Sequence, residues 1–209
     1  MKNAAIYPFF EKLFSHYGPQ HWWPCRSGKR WEIICGAILT QNTAWNNVEK
    51  ALDLLEKNKI DSAGKLLALP LAELQEMIRP AGFFQQKSLY LKGMAEFFLR
   101  EETRFLASSD YRLLRRELLQ LKGVGRETAD SILLYAFQKP IFVIDAYTRR
   151  VAERHLELDG KLPYDALQEI FMDSLPSDTA LYGEYHALIV TLCKESCKKS
   201  SCGEICRKL

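Results

Sequence analysis

Apolar residues recur along this chain at the spacing of helix faces. Trp31, Ile34, Cys35, Ile38 and Leu39 fall at i, i+3, i+4, i+7 and i+8, which is one face of a buried helix. Val48, Ala51, Leu52 and Leu55 repeat the pattern, as do Ala129, Ile132, Leu133 and Ala136. Breaks fall at Gly18-Pro19, Pro70, Pro80-Ala81-Gly82, Gly123-Val124-Gly125, Pro140, Pro163 and Pro176, where glycine and proline end regular structure. Ile141-Phe142-Val143-Ile144 is the one strand-like run, and it is too short to build a sheet. The pattern predicts an all-α protein of roughly ten helices, without repeats or low-complexity segments.

Composition narrows the class only a little. At 209 residues, 47% of them apolar and 26% charged, the chain can bury a core of ordinary globular kind. A formal charge of +3 is too small to carry nucleic-acid binding in bulk, so any such binding depends on where Lys and Arg are placed. Met1-Lys2-Asn3-Ala4 leads into an amphipathic stretch rather than a signal sequence, and no apolar run reaches the length of a membrane span. The expectation is a cytoplasmic, nucleoid-associated monomer with no membrane partner.

Candidate chemistry starts at Leu121-Lys122-Gly123-Val124-Gly125-Arg126-Glu127-Thr128-Ala129. Two glycines around Val124 allow a tight turn and close approach of another molecule, with Val124 plugging the space between two helices. A helix starting near Arg126 would aim its N-terminal N–H groups over that turn. A DNA phosphate suits such a cradle, with Lys122 and Arg126 adding charge. Gly-x-Gly alone would also serve a plain turn between helices. Asp145 follows the buried run 141–144 and precedes a helix expected over 146–155. It can cap that helix. As a carboxylate it can also stabilise positive charge developing on a sugar and orient a water.

Taken together these residues resemble the helix–hairpin–helix DNA glycosylase superfamily, in its endonuclease III branch, from about Trp22 to the C-terminal cysteines. Residues 121–129 look like the family hairpin, Asp145 takes the place of its catalytic aspartate, and Gly36-Ala37-Ile38-Leu39-Thr40-Gln41-Asn42-Thr43 looks like the loop whose glutamine fills the gap left by a flipped base. The resemblance implies a six-helix barrel over 24–134, with residues 1–23 and 135–209 forming a second helical domain. Its implied partner is double-stranded DNA bearing a damaged base.

Two departures refine that expectation. Strand-cleaving members carry a nucleophilic lysine two residues after the second glycine, where this chain has Glu127. A carboxylate cannot form an imine, so a monofunctional glycosylase is expected. Lys122 is nearby but precedes the first glycine and should face elsewhere. His21-Trp22-Trp23-Pro24 and Thr40-Gln41-Asn42-Thr43-Ala44-Trp45 are similar to the 3-methyladenine DNA glycosylase III family, in which an aromatic pair sandwiches an alkylated purine. By position that pair is Trp23 and Trp45, with Glu127 lining the pocket; large buried tryptophans would be the plain alternative. Arg79-Pro80-Ala81-Gly82-Phe83 and the run 125–130 also resemble that family. An alkylated purine is thus the favoured substrate. The rivals are an endonuclease III-like glycosylase and AP lyase acting on oxidised pyrimidines, and a non-catalytic DNA-binding protein.

Of six cysteines, Cys193, Cys197, Cys202 and Cys206 crowd the C-terminus. Crowded thiols suggest metal before disulfide. The endonuclease III branch implies a [4Fe–4S] cluster here, though its usual cysteine spacing is not reproduced. Zinc is the alternative, and an empty site the third. The Lys-, Ser- and Cys-rich tail is expected to order only with a ligand or partner. Cys25 and Cys35 read as packing residues, His186 as a core or supporting histidine, and Arg149, Arg150 and Arg154 as either phosphate contacts or a solvated face.

Overall fold

A computed structural model describes residues 2–23 and 29–208. Cys25 and Pro24, both singled out above, lie outside them. The described residues form twelve α-helices: α1 Ile6–Tyr17, α2 Arg30–Leu39, α3 Trp45–Lys57, α4 Ala63–Ala68, α5 Leu71–Ile78, α6 Phe84–Ala107, α7 Tyr111–Leu118, α8 Arg126–Ser131, α9 Ala146–His155, α10 Tyr164–Ser174, α11 Thr179–Glu195 and α12 Glu204–Lys208. No helix among them is long and apolar enough to cross a membrane. Contacts divide the chain into two compact units, one of residues 1–24 and 138–209, the other of residues 25–137.

The second unit holds α2–α8. The apolar spacing of α2 and α3 does what its period requires, burying Trp31, Ile34, Cys35, Ile38 and Leu39 on one helix and Val48, Ala51, Leu52 and Leu55 on the next. Beyond Ser131 the helix widens into a π-helical turn, Ile132–Ala136, every residue of which is buried. It ends against an aromatic cluster in which Phe137 lies 5.1 Å from Phe98 and 5.3 Å from Phe105 between ring centroids. Glycine is required at Gly123, whose φ of +83° is left-handed and whose added Cβ would meet the Tyr90 ring at 2.3 Å.

The first unit packs α1 against α11, where the buried Tyr185 hydroxyl donates to the Ile6 carbonyl at 2.9 Å. Residues 141–144 form no strand. They run irregularly through the interior, each at most 1% exposed. A buried backbone outside helix or sheet needs side-chain partners. Gln168 Nε2 donates to the Phe142 carbonyl at 2.5 Å, and the Ile144 N–H donates to the Tyr164 hydroxyl at 3.1 Å. The C-terminal tail is tied down by arginines of α9. Arg150 donates to the Cys197 carbonyl, and Arg154 to those of Lys198 and Lys199, at 2.8, 2.7 and 2.9 Å.

Candidate functional site

The helix over 146–155 forms as expected, with Asp145 as its N-cap: Oδ1 accepts the Thr148 N–H at 2.7 Å. The second oxygen, Oδ2, lies 3.5 Å from Nε2 of His186 on α11. Only 13% of the Asp145 side chain and 8% of His186 is exposed, so the carboxylate sits in a largely dry setting with a small opening. Burial alone would raise its pKa. The His186 imidazole and the Thr148 N–H outweigh that and hold it below the usual carboxylate range. Asp145 is therefore an ionised group in a place where charge has more effect than it would in water.

His186 is itself positioned. Trp22 stacks on it with ring centroids 5.7 Å apart and planes 15° apart. Trp23 lies beside Trp22 at 6.3 Å, and Lys194 Nζ stands 5.8 Å from the Trp22 ring centroid. Trp22 and Trp23 are half-buried, leaving aromatic surface accessible. Sequence reasoning gave His186 a supporting role without a partner. The contacts with Trp22 and Asp145 supply two.

In the other unit the hairpin joins α7 to α8. Val124 is buried at its tip, while Lys122, Gly125, Arg126 and Glu127 are exposed. Gly125 has φ −88°, and nothing lies within 4 Å of an added Cβ, so its backbone faces open space. Arg115 on α7 grips Asp130 on α8 through Nε–Oδ1 at 2.6 Å and Nη2–Oδ2 at 3.1 Å, and Asp130 is fully buried. This pair fixes the two arms of the hairpin, and the sequence reading gave it no role.

Gln41 is docked onto the same hairpin. Its Nε2 donates to the Gly123 carbonyl at 2.9 Å and to the Thr128 hydroxyl at 3.0 Å. The loop behind it hangs on Lys87, 2% exposed, whose ammonium donates to the Leu39 and Ala81 carbonyls and to Thr43 Oγ1 at 2.7, 2.9 and 2.7 Å. Burial pushes the Lys87 pKa down to about 8. Trp45 opens α3 close after this loop and is half-buried rather than core. Trp23 and Trp45 belong to different units, as do Asp145 and the hairpin.

Three tail thiols come together: Cys197, Cys202 and Cys206, with His155 of α9 beside them. Cys193, the fourth expected ligand, lies in the last turns of α11, its Sγ 3.8 Å from the Tyr147 carbonyl and within hydrogen-bonding reach of Cys197 but outside the group of four. The arginines expected to meet either phosphate or solvent also reach the protein's own backbone, Arg154 from an exposed position. Arg149 donates to the Gly160 and Leu162 carbonyls at 2.9 and 2.7 Å, and Arg150 and Arg154 hold the tail.

Comparison with known proteins gives this arrangement its context. Residues 35–177 match the HhH-GPD superfamily base excision DNA repair protein model. A protein of Methanocaldococcus jannaschii, provisionally named DNA repair glycosylase MJ1434, is 43% identical over 98% of this chain and 94% of its own length. Endonuclease III of Thermotoga maritima is 26% identical over 79% of this chain and 74% of its own. Among solved structures, H. pylori 3-methyladenine DNA glycosylase (MagIII) bound to 1,N6-ethenoadenine superimposes with a TM-score of 0.78 at 28% identity, covering 91% of this chain and 97% of that one. A trapped endonuclease III–DNA covalent intermediate matches in fold with the same TM-score, 0.78, at 21% identity, over 94% and 88% of the two chains. The all-α fold expected from the sequence is thus the one observed, and the chain belongs to the HhH-GPD superfamily of base excision DNA repair proteins.

Proposed function

We propose that this base excision repair protein is a monofunctional DNA glycosylase that excises an alkylated purine such as 3-methyladenine. The observation that carries the reading is Asp145, a carboxylate kept ionised at the mouth of a buried helix cap. When the glycosidic bond breaks, the base leaves with the bonding electrons and positive charge develops on the sugar. Asp145 stabilises that charge and orients the water whose oxygen joins the sugar carbon; the proton that water gives up passes by way of the carboxylate to solvent, leaving an abasic site.

The remaining residues follow from this assignment. The open backbone at Gly125, with Gly123, Val124, Lys122 and Arg126, takes a phosphate and so carries register rather than base information. Gln41 fills the space of the extruded base. Trp23 and Trp45 each offer an aromatic face suited to a cationic purine, and Glu127 is assigned with them to base recognition. A 3-methylated adenine already carries positive charge and leaves easily, so one carboxylate and aromatic contact suffice. Likeness to a 3-methyladenine glycosylase supports this substrate class.

Glu127 supports hydrolysis over lyase chemistry, because no amine stands at that position to attack the sugar. The relatives named endonuclease III favour the second reading, a glycosylase and AP lyase on oxidised pyrimidines. Four tail cysteines are compatible in number with the [4Fe–4S] cluster implied by that branch, and zinc is the alternative. Parallel incubation with alkylated and oxidised duplex DNA tests the proposal. Release of 3-methyladenine without strand cleavage is expected; release of oxidised pyrimidine with a nicked strand would overturn it.

A further inference from the structure

The chemistry of the tail depends on how far apart its donor atoms stand. Cys197, Cys202, Cys206 and His155 each offer one ligand atom, and these four atoms lie within 4.8 Å of one another. His155 Nε2 is 3.1 Å from Cys206 Sγ. The cysteines are free thiols, so no disulfide accounts for their gathering.

Each donor is held by something other than the group it would bind. His155 is the last residue of α9, and its ring stacks on Phe9 with centroids 5.0 Å apart. Cys197 and Cys202 face each other across an isolated antiparallel bridge. Ser196 Oγ accepts the Cys206 N–H at 3.1 Å, and the Ser196 carbonyl accepts the Gly203 N–H at 2.8 Å. A Cβ at Gly203 would stand 2.6 Å from Ser196 Oγ, so the closeness of this turn depends on glycine.

A tetrahedral zinc with Zn–S of about 2.3 Å and Zn–N of about 2.0 Å sets its donor atoms roughly 3.5 to 3.8 Å apart. The four donor atoms, none more than 4.8 Å from another, are gathered close to that size. A [4Fe–4S] cube demands more room, because four irons and four sulfides must stand between the thiolates. The donor set also differs from a four-cysteine set, since Cys193 is outside the group and a histidine is inside it.

We propose that this chain binds a single tetrahedral zinc ion through Cys197, Cys202, Cys206 and His155 Nε2, with Cys193 not a ligand. On binding, three thiols release their protons to solvent, and neutral His155 donates the Nε2 lone pair while its proton stays on Nδ1. Three thiolates and one Zn2+ leave a net charge of −1. Arg154 Nη1, 3.6 Å from both Cys197 Sγ and Cys202 Sγ, offsets it as an outer-shell donor. The consequence for the fold is specific. Asp145 caps the start of α9 and His155 ends it, so the ion anchors the far end of the helix that carries the proposed catalytic carboxylate.

The test is elemental analysis of the full-length protein produced in medium containing both iron and zinc. One zinc per chain, without iron or acid-labile sulfide, is expected. Four irons with sulfide, or no stoichiometric metal, would overturn the proposal. Variants assign the ligands independently of activity: His155→Ala should lower zinc affinity at least tenfold, His155→Cys should restore it, and Cys193→Ser should keep one zinc. Cobalt(II) substituted for zinc should give tetrahedral absorption bands that change in His155→Cys and not in Cys193→Ser. If Cys193→Ser empties the site while His155→Ala leaves it filled, the ligand set is wrong. Far-UV circular dichroism of each variant separates metal loss from unfolding, and the wild-type stoichiometry decides the matter even if a variant fails to fold.

Discussion

Arg115 and Asp130 form a two-pronged ion pair that ties α7 to α8 across the hairpin, with one partner fully buried and the other 16% exposed. Removing one member of a buried pair leaves the other charge uncompensated, which costs about 3–5 kcal/mol. Asp130→Ala is therefore expected to lower the free energy of unfolding by about that amount in urea denaturation. A loss below about 1 kcal/mol, the size of an exposed pair, would show that solvent reaches the guanidinium.

The two hairpin glycines should separate fold from binding. Gly123→Ala forces a side chain into a left-handed φ and against the Tyr90 ring, so it should destabilise the protein. Gly125→Ala meets no atom within 4 Å and should leave the melting temperature nearly unchanged. It should nonetheless weaken binding to every DNA sequence by a similar factor, because the proposed contact is to phosphate. A Gly125→Ala protein that binds duplex DNA normally would remove the hairpin from the interface.

Asp145 and His186 give a pH prediction with a defined sign. The folded carboxylate has a depressed pKa, so its ionised form is present above that pKa and is lost as pH falls through it. The associated stability is likewise present above the unfolded pKa and lost on acidification through the folded value. In His186→Gln the raising effect of burial has less opposition, so the acid limb of base release should move to higher pH. Asp145→Asn should bind DNA and release no base. Full excision by Asp145→Asn, or an unmoved acid limb in His186→Gln, would refute the respective assignments.

Borohydride should trap no covalent adduct between the wild-type protein and abasic DNA, given Glu127 in place of an amine. A trapped adduct would make the protein a lyase.

Trp45 is half-buried, which leaves it able to act at the surface. Trp45→Ala should reduce excision of alkylated purine more than binding to abasic DNA. Equal losses, with a fall in stability, would mark Trp45 as packing.

Much of this architecture could be read from periodicity. The buried faces of α2 and α3, the bounds of α9 and the capping role of Asp145 all follow from local spacing and side-chain chemistry. What escaped are contacts between residues distant in sequence whose types look ordinary. Lys87, Arg115 and Gln168 are of types common on solvated helix faces and carry no local signal, yet each satisfies a buried group elsewhere. His155, 51 residues from Cys206, had no local signal as a metal ligand, whereas Cys193 had one. Its place was set by the packing of α9 and not by the cysteine spacing.

Gln41 begins with both amide hydrogens engaged by the hairpin, on Gly123 and Thr128. In its proposed role, the side chain must surrender both partners before it can enter a base stack. Insertion therefore competes with this docked position, and the exchange costs least at a lesion that unstacks easily. Gln41 would then act as a checkpoint: docked while the protein scans intact duplex, released where the helix already yields. Because its resting partners belong to the segment proposed to hold phosphate, grip on the backbone and commitment to a base would be set by one small hydrogen-bonded unit.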